Sequence, residues 1–171
     1  MLELCEDRDG GGFYMTAHDA QPLIARPKEI YDGAIPSGNS TAAMVLERLA
    51  ELTGEPLFRE SADRQLAFLA AQVNGYPAGY CYALLAMSRV LYPHQELLCT
   101  GNRIPDEVMS YIRANPAHNL SILYKSKENE AGLAKLAPFT EAYPVSDSPV
   151  FYLCENGVCR SPESEFKRLG L

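Results

Sequence analysis

The densest group of chemistry-bearing side chains in this sequence lies between residues 26 and 40. Its members are Arg26, Lys28, Glu29, Asp32, Ser37 and Asn39. Two carboxylates three residues apart, Glu29 and Asp32, are the residue types that supply a general acid and a general base. The cationic and neutral polar side chains around them could bind the polar groups of a ligand. The segment therefore predicts a ligand-binding loop with two candidate catalytic carboxylates.

The same residues also have a structural interpretation. Asp32-Gly33 is a common turn sequence, and Asn39 or Ser40 can cap the helix that follows. Glu29 can form an ion pair with a neighbouring cation. At the level of sequence, both interpretations of this segment stay open.

Histidine and glycine patterns add few further candidates. His18 lies nearest to the candidate loop and is a candidate proton carrier, whereas His94 and His118 lie outside it. The glycine run at 10–12 lacks the Lys-Ser or Lys-Thr that a phosphate-binding loop requires. Scattered His and two Cys with four residues between them do not form a zinc pattern, so we expect neither a metal nor a cofactor.

Five cysteines are present, and no Cys-x-x-Cys occurs among them. An odd count without a dense framework favours a reducing compartment. Cys154 and Cys159 flank Asn156-Gly157, a dipeptide that favours a two-residue type I′ hairpin. In that register the two cysteines form a non-hydrogen-bonded pair with Cα atoms roughly 4.5 Å apart. They are a candidate redox pair, and the alternative is two reduced thiols packed against the last helix.

Three helices are predicted in the first half of the chain. Prolines at 22, 27 and 36 exclude a continuous helix before Ser40. The helices are expected from Ser40 to Gly54, over about 56–73 and over about 78–91. The second is amphipathic, whereas the third carries only one charge and is expected to be buried nearly all round. This alternation is typical of stacked αα-hairpins.

The periodicity changes after Pro93. Strands are predicted over 96–100, 120–124 and 149–153, helices over 105–114 and 162–169, and a short helix around Leu133 and Leu136. The first strand, the helix after it and the second strand form a βαβ unit, so these strands should be parallel.

The fold class predicted from these patterns is mixed α and β. Residues 1–92 form an αα-hairpin region, the end of a partial α/α barrel. Residues 93–171 form a small α/β region with a parallel βαβ unit and a C-terminal hairpin.

Composition excludes two classes of protein. The net charge is −7 and basic residues are not clustered, which argues against nucleic-acid binding. No apolar run approaches the roughly 20 residues of a membrane span. Acidic residues stand where a signal peptide would carry basic ones, so we expect a cytoplasmic protein.

Three stretches resemble a known family. They are residues 11–16 (GGFYMT), 26–40 (RPKEIYDGAIPSGNS) and 152–162 (YLCENGVCRSP). Together they are similar to the YyaL-like, spermatogenesis-associated family, in which a thioredoxin-like head precedes a barrel of the six-hairpin glycosidase and epimerase type. The resemblance implies that this chain is the C-terminal portion of such a protein, with the head and most of the barrel outside it.

The resemblance implies two alternative functions. In the first, the barrel-type region contributes to binding a sugar or similar polar metabolite without catalysing a reaction alone, within a parent enzyme of carbohydrate metabolism. In the second, it is a non-catalytic scaffold or interaction module that serves the thioredoxin-like head. In both, the partner is the remainder of the parent, and helices of an incomplete barrel should expose apolar surface.

Overall fold

The computed structural model describes residues 1–21, 24–115, 119–155 and 157–171. The chain divides into two compact units, Met1–Leu91 (unit 1) and Tyr92–Leu171 (unit 2). Within the described residues, five α-helices and a four-stranded mixed sheet give a mixed α and β architecture. None of the helices in this part of the chain combines the length and the apolar character needed to cross a membrane.

Unit 1 contains the three predicted helices. They are α1 (Gly38–Thr53), α2 (Pro56–Val73) and α3 (Cys81–Leu91), with a 3₁₀ turn at Pro77–Tyr80 before α3. Gly54 ends α1 as predicted, in a left-handed conformation with φ of 68°. A residue without Cβ adopts this conformation at little cost. The three helices are confirmed, while their closure into part of a barrel stays a prediction.

The cap of α1 differs from the prediction. Ser37, rather than Asn39 or Ser40, is the N-cap, and its hydroxyl oxygen accepts a hydrogen bond from Ser40 N at 3.1 Å. Asn39 is instead the second residue of the helix, and its side chain turns inward. A capping serine two residues earlier leaves the asparagine amide available for contacts with other segments.

Small residues let the three helices approach closely. Ala42 and Leu46 of α1 pack with Ala62 of α2 and with Phe13 of the N-terminal segment. On a second side, Ala43 of α1, Leu69 of α2, and Ala83 and Ala86 of α3 form a separate buried cluster. Close packing of this kind maximises dispersion contacts between backbones and side chains.

The N-terminal segment is tied to α2. Glu6 and Phe13 form an isolated antiparallel bridge, and the Glu6 carboxylate accepts hydrogen bonds from the Ser61 hydroxyl and the Arg64 guanidinium. Gly12 has φ of 81° and lies against the Phe68 ring, where a Cβ would come within 2.6 Å of a ring carbon. The turn therefore requires glycine for both conformation and space.

Helix α3 is not buried nearly all round, and that prediction is wrong. Ala83 and Ala86 are fully buried, but Leu84 is 38% exposed, Leu85 52% and Leu91 79%. The helix is apolar on both sides, yet it packs within unit 1 on one side only. The companion prediction, that the first and third helices expose apolar surface, agrees with these values and with Val45 of α1, which is 46% exposed. That a parent protein covers this surface stays a prediction.

Unit 2 is built on a sheet of four strands. They are β1 (Gln95–Thr100), β2 (Leu120–Lys125), β3 (Val150–Glu155) and β4 (Val158–Cys159), in the order β2-β1-β3-β4. β1 and β2 are parallel, which confirms the predicted βαβ unit. β3 is antiparallel to β1 and to β4.

Two further helices accompany the sheet: α4 (Asp106–Ala114) and α5 (Glu130–Leu136). Val108 of α4 is fully buried, whereas Ile112 is 39% exposed. The expected helix over 162–169 is reduced to a single 3₁₀ turn at Phe166–Leu169. Residues just before it pair with β3 instead, through an isolated bridge between Phe151 and Glu163.

The two faces of the sheet have different coverings. Leu97 and Cys99 of β1 and Phe151 and Leu153 of β3 form one apolar face, packed against Val108 and the C-terminal turn. The opposite face carries Lys125 of β2 and Tyr152 and Cys154 of β3, because side chains alternate along each strand. This second face holds the candidate redox pair.

The predicted register of the last hairpin is confirmed. Cys154 pairs with Cys159 and Glu155 with Val158. Gly157 in the turn has φ of 78°, as a type I′ turn requires at that position. Asn156, the other predicted turn residue, lies outside the described residues.

Candidate functional site

Asn39 organises the predicted ligand-binding loop. Its side chain is 2% exposed; Oδ1 accepts from Phe13 N at 2.7 Å, and Nδ2 donates to Phe13 O at 3.0 Å and Glu29 O at 2.6 Å. The amide of Gln65 on α2 donates to Asn39 Oδ1 and to its backbone oxygen. We call Asn39, Gln65 and the bonded groups of Phe13 and Glu29 the Asn39 network. It joins three segments of unit 1 in a buried position.

Lys28 lies on the same inner side of the loop. Its ammonium donates to Asp7 Oδ2 at 2.6 Å and to Gly11 O at 2.5 Å, and lies 4.8 Å from the centre of the Tyr14 ring. Hydrogen bonds to Asp7 from Gly10 N, then from Lys28 and from the Tyr14 hydroxyl, hold the pKa of that carboxyl well below its usual range. Asp7 is therefore ionised at neutral pH and forms an ion pair with Lys28.

Arg26 has a similar position. Its guanidinium donates to Thr16 O at 2.7 Å and to Leu4 O at 3.4 Å, and it stacks 4.2 Å from the centre of the Tyr14 ring. The cation–π contact and the two carbonyl acceptors hold one end of the guanidinium, whereas its buried Nε has no hydrogen-bond partner among the described residues. The side chain braces the N-terminal segment.

Asp32 caps the beginning of α3. Oδ2 accepts from Tyr82 N at 2.9 Å and Ala83 N at 3.1 Å, while Oδ1 accepts from Ser37 N at 2.8 Å. Burial raises the pKa of Asp32, but the hydrogen bonds from Ser37, Ser40, Ala83 and Tyr82 outweigh it, and the net pKa is lowered. An ionised carboxylate at a helix N-terminus is stabilised by the exposed amides of the first turn.

Glu29 and His18 remain at the surface. The Glu29 side chain is exposed, and only its backbone oxygen enters the Asn39 network. His18 is also exposed, with Nδ1 3.4 Å from Leu4 O. In the described part of the chain no three His, Cys, Asp or Glu side chains are grouped as metal ligands would be. His118 lies outside the described residues.

The candidates of the loop are thus brought together as a structural network. Arg26, Lys28, Asp32, Ser37 and Asn39 all have protein partners. Sequence reasoning missed these partners, among them the side chains of Asp7 and Gln65. The role of Asp7 could have been predicted from the sequence, because aspartate before a glycine run commonly forms an Asx-type turn. Its Oδ1 accepts hydrogen bonds from Asp9 N and Gly10 N. The role of Gln65 could not, since it lies on a helix 26 residues away.

The candidate redox pair has a different environment. Cys154 and Cys159 are joined by a disulfide, with Cα atoms 3.8 Å apart rather than the expected 4.5 Å. Cys154 is 8% exposed, whereas Cys159 is exposed and its sulfur lies 3.3 Å from the Tyr143 hydroxyl. The expected alternative of two thiols packed against the last helix is not what the structure contains.

Comparison with known proteins finds no family model that matches the chain. The chain is 23% identical to the uncharacterized protein B0495.5 of Caenorhabditis elegans over 99% of its own length and 24% of that protein. It is 24% identical to human Spermatogenesis-associated protein 20 over 91% of its length and 20% of that protein. The second likeness supports, at low identity, the family resemblance of the three stretches. The chain spans about a quarter and a fifth of these relatives.

Proposed function

We propose that this chain is a non-catalytic helical scaffold module of the spermatogenesis-associated type, in which α3 docks against an apolar helix of a longer polypeptide. The observation that supports the proposal is the outer face of α3, defined as Cys81, Leu84, Leu85, Ser88 and Leu91. These positions recur at helical spacing, so they lie on one side of the helix. The side opposite is filled by Ala83 and Ala86.

The outer face lacks charge. Its two polar members are small, and the Ser88 hydroxyl and the Cys81 thiol both donate to backbone oxygens of their own region, Leu85 O and Ala78 O. Burying a leucine side chain contributes about 1.5–3 kcal/mol. Three leucines on one helix face therefore favour an apolar partner over water or a charged surface.

The chemistry of the partner follows from length and pattern. Unit 1 already packs helices through small and aliphatic side chains, and the relatives carry three to four times as much chain again beyond the matched part. We therefore assign the outer face to a helix from that additional sequence. This partner is the remainder of the parent protein that the family resemblance implies.

Sugar or metabolite binding by loop 26–40 stays a prediction. The ligand-binding candidates in the loop already form hydrogen bonds with protein groups. These hydrogen bonds would have to break before a ligand could bind. Glu29 and His18 keep exposed side chains and do not line a common site with the buried polar groups of the loop. The geometry therefore favours the scaffold function.

Sedimentation velocity over a range of protein concentrations tests the docking face. The double variant Leu84→Gln/Leu85→Gln is compared with wild type and with Leu57→Gln, an exposed leucine of α2 that lies on a different helix. Without its partner helix, wild type should bind an apolar dye and associate weakly at high concentration, as should Leu57→Gln. The double variant should lose both properties.

Two results would count against the proposal. A wild-type monomer at all concentrations, with no dye binding, would show that the outer face is not a docking surface. A tight, stoichiometric dimer that the double variant abolishes would assign the face to a second copy of this chain instead.

A further inference from the structure

We propose that Cys154 and Cys159 form a reversible disulfide-exchange site whose substrate is a dithiol. The inference concerns unit 2 and is independent of the docking face of α3. It rests on three observations: the two sulfurs are bonded, one cysteine is accessible, and a phenolic hydroxyl lies against the accessible sulfur.

The accessible sulfur determines the direction of attack. An incoming thiolate must reach one sulfur of the bond, and Cys159 is exposed whereas Cys154 is 8% exposed. Attack therefore occurs at Cys159 Sγ, and Cys154 is the leaving group. Access and the identity of the attacked sulfur are main determinants of exchange rate.

Contacts other than the disulfide also hold the hairpin in place. The two cysteines are separated by five positions in sequence, so the bond closes a very short loop and restricts the unfolded chain little. The hairpin is also held by Arg160 N donating to Leu153 O at 2.9 Å, and β3 by its six-residue ladder with β1. A bond that is not the sole support of the hairpin can open and close in the folded protein.

The third cysteine of unit 2 cannot compete. Cys99 is fully buried in the apolar core, and this burial raises the pKa of its thiol to about 11. Thiolates, not thiols, take part in exchange. Within the described residues of unit 2, exchange is therefore confined to the hairpin pair.

Tyr143 and Lys125 complete the site. Lys125 is 5% exposed, and its ammonium donates to Thr140 O and Tyr143 O, both at 2.7 Å. These bonds fix the segment that carries the Tyr143 ring, which also packs 4.6 Å from the Tyr152 ring. The Tyr143 hydroxyl can then donate a hydrogen bond to the Cys159 thiolate when the disulfide opens. Lys125 is a positioning residue, since it acts through Tyr143.

The reaction proceeds in two balanced steps. A thiolate of the dithiol attacks Cys159 Sγ, the Cys154–Cys159 bond breaks, and the electron pair leaves on Cys154 Sγ, giving a mixed disulfide at Cys159. The second thiolate of the dithiol then attacks the first sulfur of the same dithiol in the mixed disulfide, and Cys159 leaves as a thiolate. The pair is reduced by two electrons and takes up two protons, and the dithiol becomes a disulfide.

The proximity of the pair explains the preference for a dithiol. With Cα atoms 3.8 Å apart, the Cys154 thiolate can return to the mixed disulfide and expel the attacking sulfur. A monothiol has no second group and is expelled, whereas a dithiol resolves the intermediate in an intramolecular step. Small dithiols and protein dithiols share this chemistry.

The experiment uses the full chain with dithiothreitol as the dithiol and glutathione as the monothiol. Thiols are alkylated and counted by mass spectrometry across a redox titration, with oxidised dithiothreitol as the oxidant for the return step, while circular dichroism follows folding. We expect the hairpin pair to gain two alkyl groups in one reversible step with dithiothreitol and the fold to persist. Glutathione at equal thiol concentration should reduce the pair at least tenfold more slowly.

Single variants locate the attacked sulfur and the role of the tyrosine. With oxidised glutathione, the Cys159 thiolate of Cys154→Ser should attack the glutathione disulfide, form a mixed disulfide and release one reduced glutathione. Cys159→Ser should form little of the corresponding adduct at Cys154, which is 8% exposed. Tyr143→Phe should slow reoxidation by about fivefold to tenfold and shift its pH profile upward, since a hydrogen bond to a charged group is lost. Tyr92→Phe, at an exposed tyrosine of unit 2 outside the site, is the control and should behave as wild type.

Several outcomes would overturn the proposal. They are a pair that stays bonded in excess dithiothreitol while the protein is folded, thiols that never reoxidise, and equal trapping at both cysteines. Equal reduction by glutathione and dithiothreitol would overturn the assignment of a dithiol substrate. An unchanged pH profile in Tyr143→Phe would remove the tyrosine from the site.

Discussion

Loop 26–40 of unit 1 and the cysteine hairpin of unit 2 contain the candidate functional residues, and the surroundings of these residues differ between the two regions. The loop turns Lys28 and Asn39 inward and satisfies their donors and acceptors with protein groups. The hairpin leaves Cys159 exposed beside a tyrosine hydroxyl. The comparison shows that residue type alone identifies only a candidate. A functional site also needs a reactive or hydrogen-bonding group that is exposed and not already occupied by protein partners. Breaking each region should therefore have different consequences.

The largest effect is expected from Asn39→Leu. The substitution leaves Phe13 N, Phe13 O and Glu29 O without their side-chain partner, while Gln65 keeps its bond to the backbone oxygen of residue 39. Each unsatisfied buried polar group costs about 1–3 kcal/mol, so the free energy of unfolding should fall by about 3–5 kcal/mol. Urea denaturation followed by circular dichroism measures this loss.

Gln72→Leu provides the comparison for that variant. Gln72 is an exposed amide on the same helix as Gln65, and its replacement should change the free energy of unfolding by no more than about 0.5 kcal/mol. Equal effects of the two variants would mean that the Asn39 network does not hold unit 1 together.

A smaller effect is expected when both hairpin cysteines are removed. Cys154→Ala/Cys159→Ala should lower the free energy of unfolding by at most about 2 kcal/mol, because the closed loop is short. Hydrogen exchange of the β1–β3 ladder measures the effect locally within unit 2. A loss as large as that of Asn39→Leu would make the bond structural and contradict its use in exchange.

The smallest effect, about 1 kcal/mol, is expected from Asp32→Asn, which keeps an acceptor but loses the charge. The pKa of Asp32 is lowered from its ordinary value of 3.8, so the carboxylate stabilises the folded state above that pH. Wild type should lose this contribution as the pH falls below 3.8 through the folded pKa. The variant should show a shallower acid loss, and Glu60→Gln, an exposed acid of α2, should retain the wild-type slope.

The order of elements was accessible from sequence because periodicity and turn chemistry agree. The 3.6-residue pattern located α1 to α3, the change after Pro93 located the βαβ unit, and Asn-Gly set the hairpin register. The end of the chain was not predictable in the same way. Pro162 and the apolar residues after it are compatible with a helix, but the pairing of Glu163 with Phe151 leaves room for a single 3₁₀ turn.

The site was only partly predictable, since its partners are distant in sequence. Asn39 was read as a cap because local rules place polar residues at helix starts, yet Gln65 and Phe13, both 26 residues away, decide its role. The prediction that α3 is buried nearly all round failed for a related reason. Composition shows how apolar a helix is, but the number of neighbours that cover it is a property of the whole fold.

Strand β4 also has a consequence for self-association through sheet edges. An exposed edge strand offers unpaired amides on which another chain can add, and long flat edges promote aggregation. β4 ends at Cys159 after two residues, and the amide that follows is already used by Leu153 O. The hairpin thus presents a very short template to a neighbouring molecule. The short length of β4, rather than the disulfide, therefore limits strand addition on this side of the sheet.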